Sequence, residues 1–204
     1  MKLESAAVRV LGVLIEKEMA TPDYYPLSLN ALINACNQKT NRDPVTSLGE
    51  TEVAVALEEL EALGLARRVT GEGRVVKYAH RIYEALDLGN RETAVLGVLL
   101  LRGAQTAGEL RSRTQSLYAF DGIEAVEACL GRLVDRSEAL VMKQALRPGT
   151  KEPRYAQLLG EAGEVVEVVD EPDRVVRLEA AVEALTREVA ELRGQLEEFR
   201  RQFE

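Results

Sequence analysis

The pentapeptide VLGVL occurs twice, at residues 10–14 and again at residues 95–99, and this repeat decides how the rest of the chain is read. Each copy opens a unit with the same order of elements. Two copies point to a duplicated domain and not to a solenoid. In unit one, Ala7, Val10, Leu11, Leu14 and Ile15 share one helical face across about residues 5–19. TPDYYP then ends the helix, because Pro22 and Pro26 cannot lie in a helix interior. Ser28 is a good N-cap for a second helix carrying Leu29, Leu32, Ile33 and Cys36 on one face. NQKTNRDP lacks an apolar period and reads as an exposed connection. Ser47 and Glu50 fit a capping box for a third helix striped by Val53, Ala56, Leu57, Leu60 and Leu63, which Gly64 would end. LARRVT and RVVKYAH around a GEG turn predict a hairpin.

Unit two repeats this plan. Its first helix covers residues 93–101. Thr106 and Glu109 form a capping box for a helix through Leu110 and Leu117. Asp121 and Glu124 cap a third helix bearing Ile123, Val126, Leu130 and Leu133. ALVMKQAL and RYAQLL make a second hairpin, with Pro148 and Gly149 in its loop. The expected fold is mainly α with small β-hairpins (α+β). Two tandem winged-helix domains, residues 1–84 and 85–160, precede an acidic linker (161–173) and a long C-terminal coiled-coil helix (174–204).

That last helix carries a heptad pattern. Val175, Val182, Val189, Leu196 and Phe203 fall seven apart, and Leu178, Leu185, Leu192 and Phe199 follow three residues after them. Valine at a with leucine at d favours a parallel two-stranded coil. In that register Arg174 meets Glu179 and Glu188 meets Arg193, pairs of opposite sign. Homodimerisation through this helix is the expectation; the alternative is an amphipathic helix packed on its own body.

Charge is unevenly spread. The chain has a net charge of −8, yet residues 1–85 carry only −2 and residues 86–160 carry +1, so the acidity belongs mainly to residues 161–204 at −7. A local basic surface on the body remains open, although a strongly basic footprint is absent. The candidate nucleic-acid contacts are Asn37, Gln38, Lys39, Asn41 and Arg42 between helices, Arg67, Arg68, Arg74 and Lys77 on hairpin one, Arg111 and Arg113 on the second helix of unit two, and Arg147, Lys151 and Arg154 on hairpin two. Arginine and lysine on wings and connecting loops suit phosphate contact. Opposing this, the third helices expose Glu52, Glu58, Glu59 and Glu61, and Glu124 and Glu127. The expected function is nucleic-acid (DNA) binding by a dimer of tandem winged-helix chains, with a regulatory role open to it; the alternative is a scaffold that binds an unidentified protein partner without DNA.

Nothing suggests catalysis. His80 is the single histidine and is expected at the surface or a strand end. Cys36 and Cys129 sit at apolar helix positions with no metal spacing, as buried thiols would. GEGR lacks the spacing of a phosphate loop. No cofactor or metal is expected. No signal peptide or apolar membrane span stands out, so a cytoplasmic protein without membrane contact is expected.

Two stretches, YPLSLNALINACNQKTNRDPV in unit one and LLLRGAQTAGELRSR in unit two, resemble the YceH-like family of bacterial proteins, and the resemblance extends over residues 1–160. It implies a tandem winged-helix fold and a cytoplasmic bacterial protein. It implies no activity and no functional residues.

Overall fold

In the computed structural model of the chain, the residues described are 2–70, 75–146 and 150–160, together with Arg187. The chain divides into two units, Met1–Val165 and Val166–Glu204. The first holds every element named below. Apart from Arg187, the second lies outside the described residues, and with it all the heptad positions. Arg74 and Arg147 lie outside them too.

The described residues form a mixed α+β fold of seven helices and two small antiparallel sheets. The first repeat gives α1 (Ser5–Ala20), a 3-10 turn at Pro22–Tyr24, β1 (Leu27–Ser28), α2 (Leu29–Cys36), α3 (Glu50–Ala62), β2 (Ala66–Val69), β3 (Lys77–His80) and α4 (Ile82–Leu86). The second gives α5 (Asn90–Arg102), α6 (Ala107–Arg113), α7 (Ile123–Val134), β4 (Val141–Lys143) and β5 (Tyr155–Gln157). One sheet has the order β1-β3-β2; the other pairs β4 with β5.

The two VLGVL copies are the middles of α1 and α5, and these helices pack on each other. Gly12 faces Leu100 and Leu101, while Gly97 faces Ile15. As the number rises on one helix it falls on the other, so they run in opposite directions. A Cβ at Gly97 would stand 2.7 Å from Ile15 Cγ2, and one at Gly12 would stand 2.9 Å from Leu101 Cγ. The glycine in each copy is thus where the partner's side chains press against the helix backbone. Both helices are buried all round at their centres: every residue from Arg9 to Glu16 and from Thr93 to Leu101 is buried. The single apolar face expected for α1 is therefore half of the finding, because α5 covers its other side. The two repeats share one continuous core.

Local signals mostly hold. Ser28 Oγ accepts from the Ala31 N–H. Thr106 and Glu109 cap each other reciprocally at 2.9 and 3.2 Å. Gly64, at φ +72, ends α3, and the Leu65 N–H reaches the Leu60 carbonyl at 2.8 Å, the long bond of a Schellman motif. Two starts differ. The N-cap of α3 is Gly49, whose N–H donates to Glu52 at 2.8 Å, in place of the expected Ser47 and Glu50. The N-cap of α7 is Gly122, not Asp121.

Candidate interaction surfaces

The connection after α2 is largely exposed, as expected, but Asn37 and Arg42 anchor it to the core. Asn37 follows α2 and clamps the next segment: its Nδ2 donates to the Leu48 carbonyl at 2.8 Å, and its Oδ1 accepts from the Leu48 N–H at 2.7 Å. The Arg42 side chain is completely buried. It donates to both Glu16 carboxylate oxygens, at 3.0 and 2.7 Å, to the Ala35 carbonyl in the last turn of α2, and to Gln38 Oε1. Burial acts to raise the Glu16 carboxyl, but hydrogen bonds and charge from Arg42, with Lys17 adding, outweigh it and hold Glu16 below the ordinary carboxylate range. The expected exposed connection is thus corrected at Arg42. A guanidinium tolerates burial here only because α1 supplies a matching carboxylate.

The same segment ties to α5. The Leu101 carbonyl accepts from the Asp43 N–H at 2.9 Å and from Arg9 Nη1 at 3.2 Å. Arg9 Nη2 continues to the Pro44 carbonyl at 2.5 Å. Arg102 donates to the Asn41 side chain. The two quoted family stretches, far apart in sequence, therefore meet at one seam. Burial lowers the Arg102 guanidinium below its ordinary value, and the like charges of Arg113 and Arg42 add to this. Sequence reasoning passed over Arg9, Glu16 and Arg102; a charged residue inside an apolar helical run was the available signal for the first two.

The other candidates divide by partner. Arg68 is bound to Glu61 at 3.0 Å. Arg154 and Arg113 share Glu109, at 3.0 and 3.7 Å, and Arg154 also donates to the Ala104 carbonyl. Lys39, Arg67, Lys77, Arg111 and Lys151 are exposed and have no ion-pair partner among the described residues. Of these, Arg67 and Lys77 share a face of the β2–β3 ladder, since Arg67 pairs with Ala79 and Val69 pairs with Lys77. Arg111 and Arg113, two residues apart on α6, point to different sides.

The third helices present another kind of surface. α3 contains no lysine or arginine, and it exposes Glu50, Glu52 and Glu58 around Val55, which is 59% exposed. α7 exposes Ile123, Glu124 and Glu127, and its one arginine, Arg132, is bound to Glu92 at 2.7 Å. Neither helix offers an unpaired cation.

Cys36 and Cys129 are buried, as expected, and burial pushes their thiols up to about 11 and about 12. His80 ends β3, as one expectation had it, but it is buried and not at the surface. Among the described residues no group of three or more His, Cys, Asp or Glu could hold a metal ion, and no helix is long and apolar enough to cross a membrane.

Residues 3–150 match the profile described as "Protein of unknown function, DUF480". The chain belongs to that family. A UPF0502 protein of Solibacter usitatus is 50% identical over 208 residues, covering 100% of this chain and 98% of its own. One from Koribacter versatilis is 57% identical over 157 residues, 77% of this chain and 73% of its own. One from Geobacter sulfurreducens is 47% identical over 215 residues, 99% and 98% of the two chains. The family match spans the α1–α5 seam and both third helices.

Proposed function

We propose that the chain is a tandem winged-helix protein that docks a protein partner on the outward faces of its third helices. We also propose that residues 174–204 pair two chains in a parallel coil, and that the YceH-like resemblance describes this same family. Each repeat supplies three helices followed by two antiparallel strands, to which the first repeat adds β1 and α4, and this is the element order of a winged helix. The carrying observation is the surface of α3 and α7: exposed carboxylates around Val55 and Ile123, with no unpaired cation. A helix that enters a major groove reads it with basic and amide side chains. Here phosphates would meet Glu52, Glu58, Glu124 and Glu127. Such a face complements a partner that carries lysine or arginine around an apolar anchor.

A second reading has its own support. Arg67 and Lys77 share one hairpin face without carboxylate partners among the described residues, and wings of this kind contact phosphates. In this reading hairpin one holds nucleic acid, with Lys39, Arg111 and Lys151 as further contacts.

A photo-crosslinking residue at Val55 is expected to capture one protein species, and replacing Glu52 and Glu58 with lysine should abolish capture. A labelled random duplex is expected to show no anisotropy change at about 50 mM salt, where phosphate contacts are strong. Salt-sensitive duplex binding that is lost when Arg67 and Lys77 become alanine would replace the docking reading with the nucleic-acid one.

A further inference from the structure

The docking surfaces make no use of Glu18 and His80. Glu18 lies near the C-terminal end of α1, and His80 closes β3. The histidine side chain is fully buried, with Nε2 2.8 Å from Glu18 Oε2. Its Nδ1 accepts from the Ile82 N–H at 3.2 Å, so the neutral ring carries its proton on Nε2, toward the carboxylate. The contact is close but poorly aligned. Glu18 Oε2 and His80 Nε2 are both sealed from solvent, and neither completes a well-directed hydrogen bond. Tyr25 and Tyr83 flank the imidazole at centroid distances of 6.1 and 5.4 Å. Burial acts to raise Glu18, yet the close approach of His80 outweighs it and holds the carboxyl below the ordinary range. Burial, then the charge of Glu18, push the Tyr83 phenol up to about 12.

Beside this carboxylate lies a cleft of about 370 Å³ lined by Glu18, Met19, Tyr83, Asn90 and Leu117. It opens where the end of α1 and α4 meet the start of α5 and the segment after α6. Its volume suits a small molecule. The lining holds a carboxylate, a phenol ring, a thioether, an amide and an aliphatic chain, and no basic side chain. Among the described residues that line it, nothing offsets the repulsion of an anion by Glu18. A small organic cation would find a counter-ion, an aromatic wall for cation–π contact and apolar surface for its alkyl part.

We propose that this cleft binds a small alkylammonium ligand, with Glu18 as counter-ion, Tyr83 as aromatic wall, Asn90 as hydrogen-bond acceptor, and Met19 and Leu117 against the alkyl chain. The inference is independent of what the third helices dock.

The test is a titration of the full-length protein with n-butylammonium chloride, read from the NMR signals of the Met19 methyl and the Tyr83 ring, beside a sodium chloride titration at equal concentration. Saturable shifts with a millimolar dissociation constant are expected with the alkylammonium alone. Glu18→Gln should weaken binding about tenfold or more. Because that change also alters the surroundings of His80, Leu117→Trp serves as a second variant: it fills the cleft and leaves the carboxylate intact, and it too should abolish the shifts. No saturation, equal shifts with sodium chloride, or undiminished binding in either variant would overturn the proposal.

Discussion

Replacing Arg42 with alanine is expected to lower the stability of the folded protein by about 3–5 kcal/mol, the usual cost of leaving a buried charge without its partner. The Arg42 side chain is fully buried and that of Glu16 is 11% exposed, so water cannot take over the lost contacts. The Ala35 carbonyl and Gln38 lose a donor at the same time. The measurement is urea unfolding, where the midpoint should fall with little change in slope. The double replacement Arg42→Met with Glu16→Leu should recover most of the loss, since it removes both charges and keeps the volume. Acid provides a second check. The folded-state value of Glu16 is depressed, so its contribution is fully present above the ordinary glutamate value of about 4.3. It disappears as pH falls through the lower folded value. Over that acid window the wild-type protein should lose stability more steeply than Arg42→Ala, in which, among the described residues, Glu16 keeps only its contact with Lys17 at 3.3 Å.

Substitution at Gly97 is the other large effect. Alanine there places a Cβ 2.7 Å from Ile15 Cγ2, and a β-branched side chain has little rotamer freedom with which to yield. Overpacking of this kind costs about 1–3 kcal/mol. Alanine's helix propensity returns about 1 kcal/mol relative to glycine, so the net change for Gly97→Ala is a loss. Gly97→Leu keeps most of that offset, since leucine is nearly as good a helix former as alanine, but it adds far more volume at the crossing of α1 and α5 and should cost clearly more. Gly131 provides the control: it lies in α7, and a Cβ added there would meet nothing within 4 Å, so Gly131→Ala should be stabilising. Thermal unfolding of the three variants checks the order.

The sequence repeat made the architecture legible because its signals are local. The caps at Ser28 and Thr106, the stop at Gly64 and the stripes of α3 and α7 each depend on residues within a turn or two. β1 and α4 escaped notice for a physical reason: two and five residues are too short to show a period, and β1 exists by pairing with β3. The surface reading failed where partners are remote in sequence. Arg42 looks like any basic loop residue until α1 brings Glu16, 26 positions earlier, against it. His80 looks like an ordinary strand end until Glu18 meets it. Lys39, Arg67 and Lys77 are exposed, and among the described residues no carboxylate pairs with them. The seam between α1, residues 34–45 and α5 could not be read from any one of these stretches alone, since each hydrogen bond across it joins two of them.

That seam implies that the two repeats unfold together, although each resembles a self-contained domain in sequence. Native-state hydrogen exchange in graded urea tests this directly, by following amides of α3 in the first repeat and α7 in the second. The expected result is that the protected amides of both helices converge on one opening free energy, equal to that of global unfolding, and that Arg42→Ala lowers both together. If α7 opened at a lower free energy than α3 and Arg42→Ala moved α3 alone, the two repeats would be independent domains and the seam a mere contact between them.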